Sequence, residues 1–191
     1  MQDATDVSTT TEAFVDTPET AADDDRGFTF VVGWPEVNVD DAAAIKAFWR
    51  AEGALNDEAA MDQRVKQVVM HARTHDGEVA GVCTAMPMTP PRLGQPMYYW
   101  RTFVGARWRA SPLVMSLLKR SCVLLEEHAR AHDYPCIGVL LELENDRFRE
   151  RGRMATWFNP RFVYIGRSDR GLDLRALYFK GARLKESATP A

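Results

Sequence analysis

Apolar positions along residues 27–184 switch between a two-residue and a three-to-four-residue period, and the switches divide the chain into strands and helices. GFTFVVGWP (27–35) is a short apolar run closed by proline and reads as a first strand. Ile45, Phe48, Trp49 and Glu52 follow at helical spacing, with Asp40 or Asp41 as the cap and Gly53 as the stop. A second helical segment begins near Asp57 or Glu58; Val68, Val69 and Met70 fit either its end or the start of a strand. VKQVVMHAR and EVAGVCTAM flank the Asp76-Gly77 pair, a strong hairpin signal, and MTPPRLGQP (88–96) is a proline-punctuated loop.

The densest pattern spans residues 97–132. MYYWRTFVG (97–105) has the aromatic and β-branched content of a strand, and ARWRASP (106–112) is a turn. Val114, Leu117, Leu118, Ser121, Leu124, Leu125 and His128 then mark one face of a long helix, with Ser111 as its N-cap and Pro112 as its first residue. CIGVLLELE (136–144) is nearly all apolar until its end, which suits a strand covered on both faces. NDRFRERGRMATWF (145–158) predicts a helix capped by Asn145, RFVYIGRS and LDLRALYFKGARL a closing hairpin around DRG, and residues 185–191 a frayed end. The order β–α–α–β–β–β–α–β–α–β–β defines an α/β fold. Its mixed, mostly antiparallel sheet is flanked by helices on both faces, and the long helix joins its parallel strands.

Charge alters this picture at one end. Residues 1–25 hold eight acids and no Lys or Arg, so the rest of the chain carries 24 cations against 19 acids, a net of +5. Residues 1–26 therefore read as a disordered acidic tail, and residues 27–184 as one domain large enough to bury a core. Arginine supplies 19 of the 24 cations and suits bidentate contact with phosphate or carboxylate. Without an apolar run long enough for a bilayer or a signal-peptide core, the expectation is no membrane span and a cytoplasmic location. Cys83, Cys122 and Cys136 lack C-x-x-C spacing and read as buried thiols. His71 with His75 and His128 with His132 lie four apart, but with no H-E-x-x-H motif a metal is not expected. Nucleic-acid binding lacks a dense basic stripe or a known module.

A strand that feeds a helix N-terminus through a short loop forms an anion site. In VGARWRASPLVMSLL the strand ends at Val104, Arg109 opens the loop motif, and Leu117-Leu118 fill paired apolar helix sites. With the element order, this resembles the GCN5-related N-acetyltransferase (GNAT) superfamily, over roughly residues 27–184. The corresponding family loop, Gln/Arg-x-x-Gly-x-Gly/Ala, holds the pyrophosphate of acyl-CoA on backbone N–H groups. Here Pro112 and Val114 replace the glycines, so one donor is missing and one approach carries a branched side chain. Trp157 stands where the family commonly has the tyrosine that protonates the departing thiolate, Arg161 stands at the following glycine, and Asn145 lies farther upstream than usual.

The resemblance implies an acyltransferase that uses acyl-CoA or acetyl-CoA as co-substrate and a small-molecule or protein amine as acceptor. It points to Val104, Arg109, Ser111, Leu113 and Val114 for the phosphate end, with Arg101 and Arg107 nearby. An acyl carrier protein is a second possible donor, because a single phosphopantetheine phosphate needs fewer N–H groups. Glu142 and Glu144 share a face at their strand's end, where a carboxylate can take a proton from an amine. The plain alternative is a strand end turning to solvent and pairing with arginine. Tyr164 is the chosen replacement acid, with Tyr98, Tyr99 and Tyr178 as further candidates, although core packing is the more frequent role of a strand tyrosine. The competing expectation is a catalytically inactive GNAT-like domain that binds a small ligand or partner protein through the same cleft.

Overall fold

β1 (Phe28–Val32), β2 (Val68–Thr74), β3 (Val79–Met88) and β4 (Met97–Val104) form an antiparallel run, each strand beside the one before it. The computed structural model describes residues 27–144 and 153–186. β5 (Gly138–Glu142) lies parallel to β4, and β7 (Asp173–Tyr178) inserts between β5 and the edge strand β6 (Val163–Arg167). The seven-stranded order is β1-β2-β3-β4-β5-β7-β6.

Helices cover both faces. α3 (Leu113–Ala131) buries Leu117, Leu118, Ser121 and Leu125 against strand residues including Val69, Cys83, Trp100 and Val104. On the other face α1 (Val39–Ala51) and α2 (Glu58–Val65) bring Ile45, Trp49, Met61 and Val65 onto Val68 and Val82. Each fully buried leucine of α3 is worth about 1.5–3 kcal/mol of transfer free energy, so this apolar stripe sets the helix's orientation. Val114, Leu124 and His128, expected on the same face, sit half-buried at its margins.

The helix ends depart from expectation. α1 is capped by Asn38, whose Oδ1 accepts from Asp41 N–H at 2.9 Å; Asp41 instead pairs with Arg73 and lies near His71. α3 begins one residue later than expected, with Pro112 at the cap position. Ser111 Oγ still accepts from Leu113 N–H at 3.3 Å and donates to Trp108 O at 2.7 Å. The expected helix over Asn145–Phe158 lies partly outside the described residues. From Arg153 to Phe158 the chain is non-helical, with Thr156 bridged to Val163, so the helical reading is corrected there.

Two contacts place loops around the sheet. The loop before β4 is anchored by Arg92, which donates to Ile165 O at the β6 bulge. Gly166 is required there: its φ is +117°, and a Cβ would lie 1.8 Å from Arg92 Nη1. Lys185, placed in the fraying end, is held by two hydrogen bonds to Gln95, of 2.9 and 2.7 Å. The acidic tail (1–26) and residues 187–191 lie outside the described residues. All three cysteines are free and buried. Among the described residues no helix is long and apolar enough to cross a membrane, and no cluster of metal-ligating side chains occurs.

Candidate active site

β4 and β5 pair only from Tyr98–Trp100 to Val139–Leu141. Beyond that point β4 continues along β3, with Arg101 opposite Thr84 and Val104 opposite Gly81, while Glu142 continues along β7 opposite Leu174. Strands that diverge this way leave a gap in the sheet. A cavity of about 570 Å³ occupies it, a volume ordinary for a small-molecule site.

Strand alternation gives the cavity two chemically different sides. Trp100 and Val104 belong to the α3 core, and Val114, Met115 and Leu118 of α3 line the cavity there. Trp100 is fixed by donation from Nε1 to Ser121 Oγ at 2.7 Å. Tyr99, Arg101 and Phe103 alternate with these residues, and the cavity also meets Trp49, Leu55 and Arg64 from α1, α2 and the loop between them.

At the first turn of α3, Met115 and Ser116 N–H donate to Pro112 O, and Ser111 Oγ takes the N–H of Leu113. Among the described residues, Val114 N–H is left without a partner in that turn. Arg109 lines the same cavity: its Nε donates to Val104 O at 3.1 Å and its guanidinium rests 5.4 Å from the Phe103 ring centroid. Val104, Arg109 and Val114 line the cavity; Ser111 and Leu113 stand behind them as structural members of the turn. Arg101, considered with Arg109 at the phosphate end, instead lies deeper, over Tyr99.

Glu142 and Glu144 share one face, as their spacing predicts, and both receive Arg170, at 3.1 and 2.7 Å. Their exposures separate them. The Glu142 side chain is 7% exposed and also accepts from Tyr99 OH at 2.7 Å; the Glu144 side chain is 62% exposed at the mouth. Burial pushes the Glu142 pKa up, but hydrogen bonds from Ser168 and Tyr99 and the charge of Arg170 outweigh it and hold the carboxyl below its ordinary value. Burial, then the Glu142 carboxylate, push the Tyr99 hydroxyl up to about 12, so it keeps its proton at neutral pH.

Tyr164 is not brought to this cavity. It lies on the outer edge strand β6, opposite Arg175, with 44% of its surface exposed. Trp157 does line the cavity, 4.6 Å from the Arg175 guanidinium, and its indole cannot act as the acid of the resembled family. Arg64 and Arg170 had no sequence signal. One closes a short helix and the other sits in the β6–β7 turn, and only the folded sheet brings them to β4 and β5.

This strand order, with its parallel pair parting over a central helix, is the GNAT fold. No family model matches the sequence, and no curated protein matches it. Among solved structures, a GNAT-family acetyltransferase from Streptococcus pneumoniae superposes with a TM-score of 0.53 at 16% identity, covering 80% of this chain and 99% of that one. The ribosomal-protein-S5-alanine acetyltransferase of Vibrio fischeri gives 0.54 at 8% identity, covering 82% and 96%. AtaTR bound with AcCoA gives 0.52 at 12%, covering 81% and 95%. At these identities the likeness establishes the fold.

Proposed function

We propose that the chain is an N-acyltransferase, moving an acyl group from acyl-CoA or acetyl-CoA to an amine on a small molecule or protein. The observation that carries this reading is a continuous cavity at the gap between β4 and β5, lined both by the N-terminal turn of α3 and by the carboxylate of Glu142. The solved structure bound with AcCoA, whose fold this chain shares, supports the donor class. Val114 N–H and Arg109 suit the phosphate end of such a donor, with the α3 dipole adding to their attraction.

The amine nitrogen attacks the thioester carbonyl carbon. The N–C bond forms, the C–S bond breaks, and its electron pair leaves on sulfur. Glu142 is ionised and takes the proton of the attacking nitrogen, directly or through water. A weakly basic carboxylate suffices, because a nitrogen bonded to the tetrahedral carbon is far more acidic than the free ammonium. The thiolate takes its proton from water, or from Tyr99, which recovers one from the protonated Glu142 that its hydroxyl contacts.

A specific observation favours a second donor. Pro112 has no N–H and Leu113 N–H is engaged, so the turn offers few hydrogen-bond donors for a pyrophosphate. A phosphopantetheine arm on an acyl carrier protein asks for fewer. Calorimetric titration with acetyl-CoA, longer acyl-CoAs and CoA, followed by thiol release in the presence of amines, tests the reading. Binding with amine-dependent thiol release is expected. Binding without release points to an inactive binding domain, and no binding by any of them removes CoA as the donor.

A further inference from the structure

We propose that the amine acceptor carries an anionic group of its own, a carboxylate or a phosphate monoester, held by Arg64 and Arg101 while its amine faces Glu142. This rests on the acyltransferase reading above and names its acceptor class.

The argument is one of unmatched charge. Arg64 lies in the last turn of α2 and Arg101 mid-strand on β4, and both line the cavity. They open on the same cavity, and after burial the charge of Arg101 is the main influence lowering the Arg64 pKa. Both are half-buried, and cations drawn out of water in a protein are ordinarily paired. Among the described residues neither arginine has a carboxylate partner. Arg101 Nη2 makes only two long contacts, to Gln67 Oε1 and Met86 Sδ, each at 3.5 Å, and its Nε is buried without a partner. Across the cavity Glu142 and Glu144 share Arg170, which leaves one negative charge there against the two positive charges of Arg64 and Arg101. The charge left to answer is therefore positive and lies on the α1/α2 side.

Position separates this pair from the donor's phosphates. Arg101 is three residues before Val104, about 10 Å down the strand from the rim where Arg109 and the α3 turn sit. It is also one tyrosine ring from the acid. The Arg101 guanidinium lies 5.0 Å from the Tyr99 centroid, and the hydroxyl of that ring contacts Glu142 at 2.7 Å. An amine with an anionic group a few bonds away spans that interval. Carboxylate and phosphate share the recognition chemistry, since a guanidinium binds either through two N–H groups.

Matched pairs test the proposal: tyrosine against tyramine, 4-aminobutyrate against butylamine, and O-phosphoethanolamine against ethanolamine. Each is measured by thermal shift of the full chain alone and by thiol release with saturating acetyl-CoA, and acetyl-CoA affinity is measured separately by calorimetry. The anionic member of at least one pair should be preferred by about tenfold or more, the scale of one charge-assisted contact. Arg101→Met and Arg64→Met should erase that preference, Arg101→Lys should keep part of it, and all three should bind acetyl-CoA as the parent does. The first two pairs report a carboxylate and the third a phosphate. Equal response within every pair, no response to any amine, or a preference that survives both methionine variants overturns the proposal. So does a loss of acetyl-CoA affinity in Arg101→Met. Failure of the acyltransferase reading has a different signature: the thermal-shift preference and its loss in the variants remain, while no amine releases thiol.

Discussion

Tyr99 donates its hydroxyl hydrogen to Glu142 at 2.7 Å from the neighbouring parallel strand, just where β4 and β5 cease to pair. That bond favours the charged carboxylate and helps hold its pKa below the ordinary value. Tyr99→Phe removes it, so the Glu142 pKa should rise. Activity requiring ionised Glu142 should then lose its acidic limb at higher pH than in the parent. A pH profile of kcat measures the shift; an unmoved limb means that Glu142 is not the group titrating.

Glu142→Gln keeps the shape and one acceptor oxygen but cannot take a proton. Amide formation should fall by about 100-fold or more, the scale of general-base catalysis, with acetyl-CoA affinity unchanged. Glu144→Gln, altering an exposed carboxylate at the mouth, should change kcat by less than about threefold, since exposed pairs are weak. Steady-state kinetics on both variants decide which of the two carboxylates the chemistry uses.

Much of the scaffold was legible because it follows from short-range rules. The Asp76-Gly77 hairpin, the stop at Gly53 and the buried stripe through Leu117, Leu118 and Leu125 each depend on neighbouring residues. The caps were less legible: Asn38, Asp40 and Asp41 cap almost equally well as isolated side chains, and the choice fell when Asp41 met Arg73. The site was legible only in part. Spacing placed Glu142 and Glu144 on one face, but nothing local distinguished the 7% exposed side chain from the 62% exposed one. Nor does any spacing unite Arg64, Tyr99, Glu142 and Arg170, which come from α2, β4, β5 and the β6–β7 turn. Tyr164 and Tyr99 both lie in apolar strands, and only the sheet order puts one at the edge and the other beside the gap.

Ser121 is wholly buried beneath the cavity wall and accepts from Trp100 Nε1 at 2.7 Å while donating back to Leu117 O at 2.6 Å. Ser121→Ala leaves that indole N–H unsatisfied and should cost about 1–3 kcal/mol, the penalty for a buried orphaned donor. Chemical denaturation followed by tryptophan fluorescence measures it. A change below about 0.5 kcal/mol would show that Trp100 finds another acceptor.

Gly138 fixes how closely β5 packs against β7. A Cβ there would lie 2.1 Å from Leu177 O, a backbone atom of the adjoining strand, and 2.9 Å from Met97 Cε. Methionine can yield, but the carbonyl can move only if β5 leaves β7. Gly138→Ala should therefore destabilise the fold by about 3 kcal/mol or more, at the severe end for a single methyl group. The denaturation midpoint reports it, and a fall of under about 1 kcal/mol would mean that the strands accommodate the methyl.

The α3 turn offers the sharpest test of the donor site, because two substitutions should act in opposite directions. Arg109 is exposed, and among the described residues its side chain bonds the backbone only through Nε to Val104 O. Arg109→Ala should weaken CoA binding by about 10- to 100-fold through one lost charge-assisted contact, with little change in Tm. The loss should shrink as salt is raised, because the rim is open to screening. Val114→Gly works the other way. It removes the branched side chain of Val114, whose N–H has no partner among the described residues, so a phosphate can approach more closely. The change costs up to about 1 kcal/mol of helix stability, less near a terminus, and should lower Tm slightly while tightening CoA several-fold. Calorimetry on the parent and both variants reads the two effects together. If Arg109→Ala binds equally well and Val114→Gly binds no better, the phosphate end does not rest on this turn.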